Sequence, residues 1–229
     1  MVAVSLRCSA RTACGFTWRK AARDTDYGDR SNGVAFAADG RFATTSFDGR
    51  LRLYAPDGRL IGAPVASGFE RPFSLAFNLK NGRLAVGFED TTAVRVFDGE
   101  TLAPLGAPDM NGIDNGNLGS VAWSADGTTL FAAGRYQAGG ERPVIAWRED
   151  GLQQTLPVSL NTVMSLRALP GGDLLVAAGD PYLGVVNADG TRGWTRRPVQ
   201  MDARDQRHNF RVSPDGMVVD FGFEVWGAR

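Results

Sequence analysis

The sequence predicts an all-β fold built from repeated four-stranded antiparallel units, and three observations predict it. One phrase returns along the 229 residues, the 29 glycines and 11 prolines fall at regular distances, and few windows sustain helical apolar spacing over three turns. The phrase reads Val34-Ala35-Phe36-Ala37-Ala38-Asp39-Gly40, then Leu75 to Gly82, then Val121-Ala122-Trp123-Ser124-Ala125-Asp126-Gly127. A weaker copy runs from Leu166 to Gly172, and the last is Phe210-Arg211-Val212-Ser213-Pro214-Asp215-Gly216. Between first residues the steps are 41, 46, 45 and 44.

Each unit has the same internal order. A second apolar run follows the phrase: Phe42 to Ser46, Leu84 to Phe88, Leu130 to Gly134, Leu174 to Ala178, Met217 to Phe221. Third runs are Leu51 to Tyr54, Val94 to Phe97, Val144 to Trp147 and Leu183 to Val186, and a weaker fourth closes the unit, as in Leu60-Ile61 and Leu102 to Leu105. Asp-Gly or Asn-Gly separates the first two runs at residues 39–40, 81–82, 126–127 and 215–216. Those dipeptides tolerate the positive φ of tight hairpins. Four strands joined by hairpins, repeating every ~40–45 residues, make a β-propeller blade. The expectation is one domain over 1–229, with complete blades near 32–63, 73–107, 118–157 and 163–197. Partial blades fall at 1–20 and 208–226.

The ends extend the pattern. Gly15-Phe16-Thr17-Trp18-Arg19 resembles Gly193-Trp194-Thr195-Arg196-Arg197, so residues 14–20 read as an outermost strand, with Val2 to Cys8 as the strand before it. Together with 209–226 they form a composite fifth blade, which would close the ring and remove two sheet edges. The other reading is a piece of a longer propeller.

Phe36 to Tyr54, with its Asp39-Gly40 turn and its Asp48-Gly49-Arg50-Leu51-Arg52-Leu53-Tyr54 segment, resembles a blade of the bacterial WD-repeat family. Ser124-Ala125-Asp126-Gly127 and Ser213-Pro214-Asp215-Gly216 repeat the opening of that blade. The resemblance covers roughly residues 32–221. It implies the propeller fold and a sensor or scaffold role, since bacterial proteins of this type are sometimes joined to peptidase or kinase domains. The Gly-His and Trp-Asp dipeptides of eukaryotic blades are missing; Trp147-Arg148 and Phe97-Asp98 are partial echoes. The hydrogen-bonded network of those dipeptides is therefore not carried over. Arginine supplies nearly all basic residues, with Lys20 and Lys80 the only lysines, a skew that points to a bacterial source.

Charge and chemistry narrow the function. The chain carries 25 basic and 25 acidic residues, and a nucleic-acid binder ordinarily shows a basic excess. No apolar run is long enough to span a bilayer. Residues 1–18 make a poor signal peptide, so a cytoplasmic location is expected, with Cys8 and Cys14 as reduced thiols. His208 is the single histidine, neither cysteine lies in a nucleophile motif, and no Gly-x-Ser-x-Gly elbow occurs. Three Cys and His residues do not make a zinc site, and Glu89-Asp90 and Asp24 with Asp26 do not match a calcium loop. No enzyme activity, metal or cofactor is expected.

Two residue sets stand as candidates. Asn32, Arg71, Asn117, Asn161 and His208 each precede an innermost strand, where propeller loops converge on one mouth of the channel. Such a ring suits a small ligand or, with carboxylates added, a metal, as lactonase-type propellers use a related layout for calcium; the alternative is that these side chains cap turns and line a watery channel. Arg192, Trp194, Arg196, Arg197, Arg204 and Arg207 form a basic, aromatic stretch suited to acidic or phosphorylated partners, or a solvated inter-blade loop. The expected function is a monomeric scaffold for protein partners. The alternative is a ligand-binding or hydrolytic propeller.

Overall fold

A computed structural model describes residues 23–179, 182–196, 210–213, 215, 218–221 and 224–227. Within them the chain is all-β. Four four-stranded antiparallel sheets and one three-stranded sheet follow one another along the chain, each in sequential strand order. Blade 1 holds β1 (Ser31–Phe36), β2 (Phe42–Ser46), β3 (Arg50–Tyr54) and β4 (Leu60–Ala66). Blade 2 holds β5 (Pro72–Phe77), β6 (Arg83–Phe88), β7 (Val94–Asp98) and β8 (Pro104–Gly106). Blade 3 holds β9 (Ser120–Trp123), β10 (Thr129–Ala133), β11 (Arg142–Arg148) and β12 (Gln153–Ser159). Blade 4 holds β13 (Val163–Ala168), β14 (Leu174–Ala178), β15 (Tyr182–Val186) and β16 (Arg192–Arg196). The last sheet holds β17 (Phe210–Val212), β18 (Val218–Phe221) and β19 (Glu224–Gly227). The expected composite strands at Val2 to Cys8 and 14–20 lie outside the described residues.

The second strands of blades 1 and 4 read as unbroken buried runs rather than alternating ones, because both faces are covered: β2 and β14 are buried at every residue. The core is a series of layers between blades. Leu51, Leu53 and Ala43 of blade 1 pack with Leu75, Leu84, Val86 and Phe88 of blade 2. Ala85 and Val94 pack with Val121, Leu130 and Ile145 of blade 3. Ala133, Val144 and Val158 pack with Val163, Leu174 and Val176 of blade 4, and Val212 of β17 rests on Leu175, Ala177 and Leu183. Neighbouring sheets thus sandwich one apolar layer after another, which is a propeller-like arrangement of blades.

Turn chemistry follows the sequence. In the β9–β10 hairpin the Asp126 carboxylate accepts from the Thr128 N–H at 3.0 Å and from the Ser124 hydroxyl at 2.5 Å. Ser213 and Asp215 repeat the second bond at 2.5 Å. Gly127 must be glycine twice over. Its φ is +79°, and a Cβ there would lie 2.6 Å from Oδ1 of Asn78 in the blade before. Blade 2 departs from the pattern at its fourth strand. Leu102 sits in the turn with φ 58°, buried at 2% exposure, and β8 is only three residues long. The Asp98 carboxylate holds that turn by accepting from the backbone N–H groups of Glu100 and Thr101.

Inner strands carry bulges at one end, between Ser31 and Gly33, Pro72 and Leu75, and Val163 and Ser165. Bulges re-aim backbone groups, and here two of them turn carbonyls toward the blade before. The Thr45 hydroxyl donates to the Phe73 carbonyl at 2.7 Å while accepting from the Gly33 N–H at 2.9 Å. The Ser120 hydroxyl donates to the Met164 carbonyl at 2.9 Å.

Candidate functional site

One main-chain hydrogen bond recurs at the same end of every complete blade. The residue leading into each inner strand accepts, through its carbonyl, an N–H from the turn after the second strand. The pairs are Phe47 to Arg30 at 3.1 Å, Glu89 to Arg71 at 3.0 Å, Tyr136 to Asn117 at 3.0 Å and Gly179 to Thr162 at 2.9 Å. This bond defines equivalent positions more securely than sequence spacing does. Arg30, Arg71, Asn117 and Thr162 are the matching lead-in residues. Their turn partners are Phe47, Glu89, Tyr136 and Gly179.

The residues expected to form a ring take different places. Arg71 and Asn117 hold the lead-in position. Asn32 lies two residues further on, at the bulge of β1 and half-buried. Asn161 lies one residue earlier and is exposed; its side-chain oxygen accepts from the Thr162 N–H at 2.7 Å, a turn cap. His208 falls outside the described residues. Asn117 is a bracket rather than a free donor. At 6% exposure it donates to the Glu89 carbonyl at 2.7 Å and accepts from the Arg135 N–H at 2.9 Å, tying the turns of blades 2 and 3 together.

Its burial comes from the connection 107–119, which leaves β8 and crosses onto blade 3. Trp147 Nε1 donates to the Asp109 carbonyl at 2.6 Å, the Tyr136 hydroxyl to the Gly112 carbonyl at 2.9 Å, and the Gln137 N–H to the Asn115 side-chain oxygen at 3.1 Å. Ile113 and Leu118 enter the core beneath. Gly87 lets the strap pass, since a Cβ there would lie 2.4 Å from the Leu118 carbonyl oxygen.

Blade 1 and blade 2 leave the opposite arrangement, an open cluster. The Arg71 guanidinium carbon lies 4.4 Å from the centre of the Phe47 ring, and that of Arg30 lies 5.0 Å from the same centre. Arg71 also forms an ion pair with Glu89 at 3.2 Å and stays 45% exposed. Asp29, Arg30, Phe47, Glu70 and Arg71 line a hollow of about 420 Å³ open to solvent. Sequence reading found Arg71 and missed Arg30 and Phe47. The signal was present in their distance from the first Asp-Gly turn, but a spacing alone does not show which residue carries the hydrogen bond.

Behind blade 1, residues 23–28 pack against the far face of the sheet. Arg52, 2% exposed at its side chain, pairs with Asp48 at 2.7 Å, donates to the Asp26 carbonyl, and lies 4.0 Å over the Tyr27 ring. The Tyr27 hydroxyl is 2.8 Å from those of Thr44 and Tyr54, and Tyr54 donates to Asp24 at 2.7 Å. That bond, with the Asp26 N–H, holds the Asp24 carboxyl below its usual range. Burial pushes the Asp48 carboxyl up, but the Arg52 guanidinium and the N–H groups of Gly28 and Arg50 outweigh it, and the net shift is downward. Burial, then the bonds to Tyr27 and Asp24, hold the Tyr54 phenol protonated.

The arginine-rich stretch is only partly described. Arg192 is occupied as a strut to blade 3, donating to the Pro157 carbonyl at 2.9 Å and pairing with Glu141 at 2.7 Å. Trp194 is 48% exposed, Arg196 lies in β16, and Arg197, Arg204 and Arg207 fall outside the described residues. A second hollow of about 470 Å³ lies between blades 2 and 3, lined by Leu105, Trp123 and Trp147 with Arg83 and Arg148 at hand. Among the described residues no three His, Cys, Asp or Glu side chains cluster in a way that could hold a metal ion, and no helix is long and apolar enough to cross a membrane. Compared with known protein families and with curated proteins, the chain matches no family model and no curated relative.

Proposed function

We propose that the chain is a WD-repeat-like scaffold that binds protein partners through the loops at the lead-in end of its blades. The observation that carries this reading is the recurring main-chain hydrogen bond, which holds the turns in one register while their side chains differ from blade to blade. A rigid frame with variable, partly exposed side chains suits recognition, because little ordering entropy remains to be lost on binding. Arg30, Phe47 and Arg71 are the types enriched where interface energy concentrates, aromatic and arginine.

Site-specific photocrosslinking tests the proposal. A benzoylphenylalanine placed at Phe47 should give a discrete partner-protein adduct in cells, whereas one placed at Leu79, on the hairpin at the opposite end of blade 2, should not. Equal adducts from both positions, or none, overturn the proposal.

The rival reading is a ligand-binding or lactonase-like propeller, favoured by the convergence of Arg71 and Asn117 on one end of the sheets. A calcium-dependent rise in Tm, or lactone turnover lost in Asn117→Ala that refolds normally, would establish it. The scaffold reading expects neither.

A further inference from the structure

We infer that Arg30, Phe47 and Arg71 form a receptor for a single carboxylate, and that its occupant is an acidic side chain of a partner protein. The inference rests on the scaffold reading and names the chemistry of its site. Two guanidinium groups sit within 5.0 Å of the centre of one phenylalanine ring. Each gains from the ring's negative face, and the ring gathers two guanidinium groups at one place.

The donors for such an anion are present. Arg71 spends one nitrogen on Glu89, at 3.2 Å. The Arg30 guanidinium has no ion-pair partner among the described residues; the hydrogen bonds of Arg30 are made by its backbone, the N–H to the Asp29 carboxylate at 2.6 Å and the carbonyl from the Phe47 N–H at 3.1 Å. A planar guanidinium stacked on an aromatic ring keeps its N–H edge free, and that edge matches the two oxygens of a carboxylate. The lead-in hydrogen bonds from Phe47 to Arg30 and from Glu89 to Arg71 fix the backbones that carry the three side chains.

The rim decides the class of anion. Asp29 and Glu70 line the same hollow as the two arginines and Glu89 pairs with Arg71, so the cluster carries no excess of positive charge. A phosphate dianion, or the repeated phosphates of a nucleic acid, would meet those carboxylates as well as the arginines. A monoanionic carboxylate satisfies the guanidinium edges with the least repulsion, and backbone N–H groups beside it on a peptide complement Asp29 and Glu70. Attraction is therefore short-ranged and depends weakly on salt, unlike phosphate-driven binding.

The test is fluorescence anisotropy of the full chain with a labelled peptide of alternating glutamate and glycine. Saturable binding is expected. Arg30→Ala and Arg71→Ala should each weaken it about tenfold, as loss of a charge-assisted bidentate contact does. Arg71→Lys should lose most of that as well, since lysine keeps the charge but not the fork. Phe47→Leu should weaken it with Tm unchanged, and Arg83→Ala, on the far side of blade 2, should leave it intact. Acetate should compete better than inorganic phosphate at equal concentration. No saturable binding, retention in the Arg30→Ala/Arg71→Ala double variant, or stronger competition by phosphate overturns the carboxylate receptor. The photocrosslink from position 47 separates the two readings. An adduct that persists in the double variant overturns the receptor and leaves the scaffold standing. Peptide binding without any adduct overturns the scaffold and leaves the receptor.

Discussion

The lead-in residues of blades 2 and 3 make the same main-chain bond and do opposite things with their side chains. Arg71 reaches outward over Phe47, while Asn117 turns inward and binds two backbones. The difference lies in what precedes them. Blade 2 is reached by the short connection 67–71, which leaves its end residue open. Blade 3 is reached by the strap 107–119, which anchors Ile113 and Leu118 in the core and leaves Asn117 between them buried. One backbone position is therefore available for recognition or committed to stability according to the loop that covers it. The identity of its side chain follows from that.

The comparison can be broken at several strengths. The largest effect belongs to the layer under both sites. Phe88, fully buried between blades 1 and 2 and edge-on to Phe69 at 5.0 Å, should cost ~3–5 kcal/mol when changed to alanine. Urea denaturation should show it, and hydrogen exchange should rise in both turns together. Next comes Asn117→Ala, which leaves the Glu89 carbonyl and the Arg135 N–H without partners. At ~1–3 kcal/mol for each buried group left unsatisfied, the loss should lie near ~2–4 kcal/mol, and a loss below ~1 kcal/mol would show that the bracket is dispensable. Thr45→Val keeps the shape and removes two bonds; at the same cost for each stranded group, the Gly33 N–H and the Phe73 carbonyl, ~2–4 kcal/mol is expected. Arg71→Ala should cost no more than ~1 kcal/mol, the range of an exposed ion pair. A larger loss would place Arg71 with Asn117 as a structural residue.

The smallest effect is acid sensitivity on the far face of blade 1. Asp24 and Asp48 both titrate below the usual carboxylate range in the folded chain. Their contribution is present above the unfolded value, ~3.9, and is lost as pH falls through the lower folded values. Exchange protection of residues 23–28 should therefore drop on going from about pH 5 to about pH 3. The drop should shrink in Asp48→Asn. Protection that does not vary over that range would mean the segment is held by Tyr27 and its ring contacts alone.

Much of the fold was legible in the residues. Phe42 to Ser46 and Leu174 to Ala178 are β2 and β14 at both bounds. Both are followed within three residues by a glycine turn, and the Leu174 to Ala178 run is apolar throughout. The fourth strands were harder. Leu102 to Leu105 reads as an apolar run, yet Leu102 leaves the strand and bends into the core with positive φ. The turn does contain an Asp98-Gly99 dipeptide, but the positive φ falls on Leu102 and not on the glycine, so composition does not mark where the chain bends. Of the expected ring residues, Arg71 and Asn117 hold the lead-in position, and Asn32 and Asn161 lie beside it. Position before a strand located Arg71 and Asn117, but spacing did not show that Asn117 is buried within a strap whose apolar residues, Ile113 and Leu118, lie on either side of it in the chain. Nor did it pair Arg30 with a phenylalanine in the following turn.

The lead-in hydrogen bond has an evolutionary consequence. Because main-chain atoms make it, substitution at residue 30, 71 or 162 leaves the spacing of the blades nearly untouched. The rim can be rewritten one blade at a time, and each change is scored only by what it does to a partner. At residue 117 that freedom has been surrendered: the strap converts a variable address into a fixture, and a change of specificity there would first have to dismantle the loop.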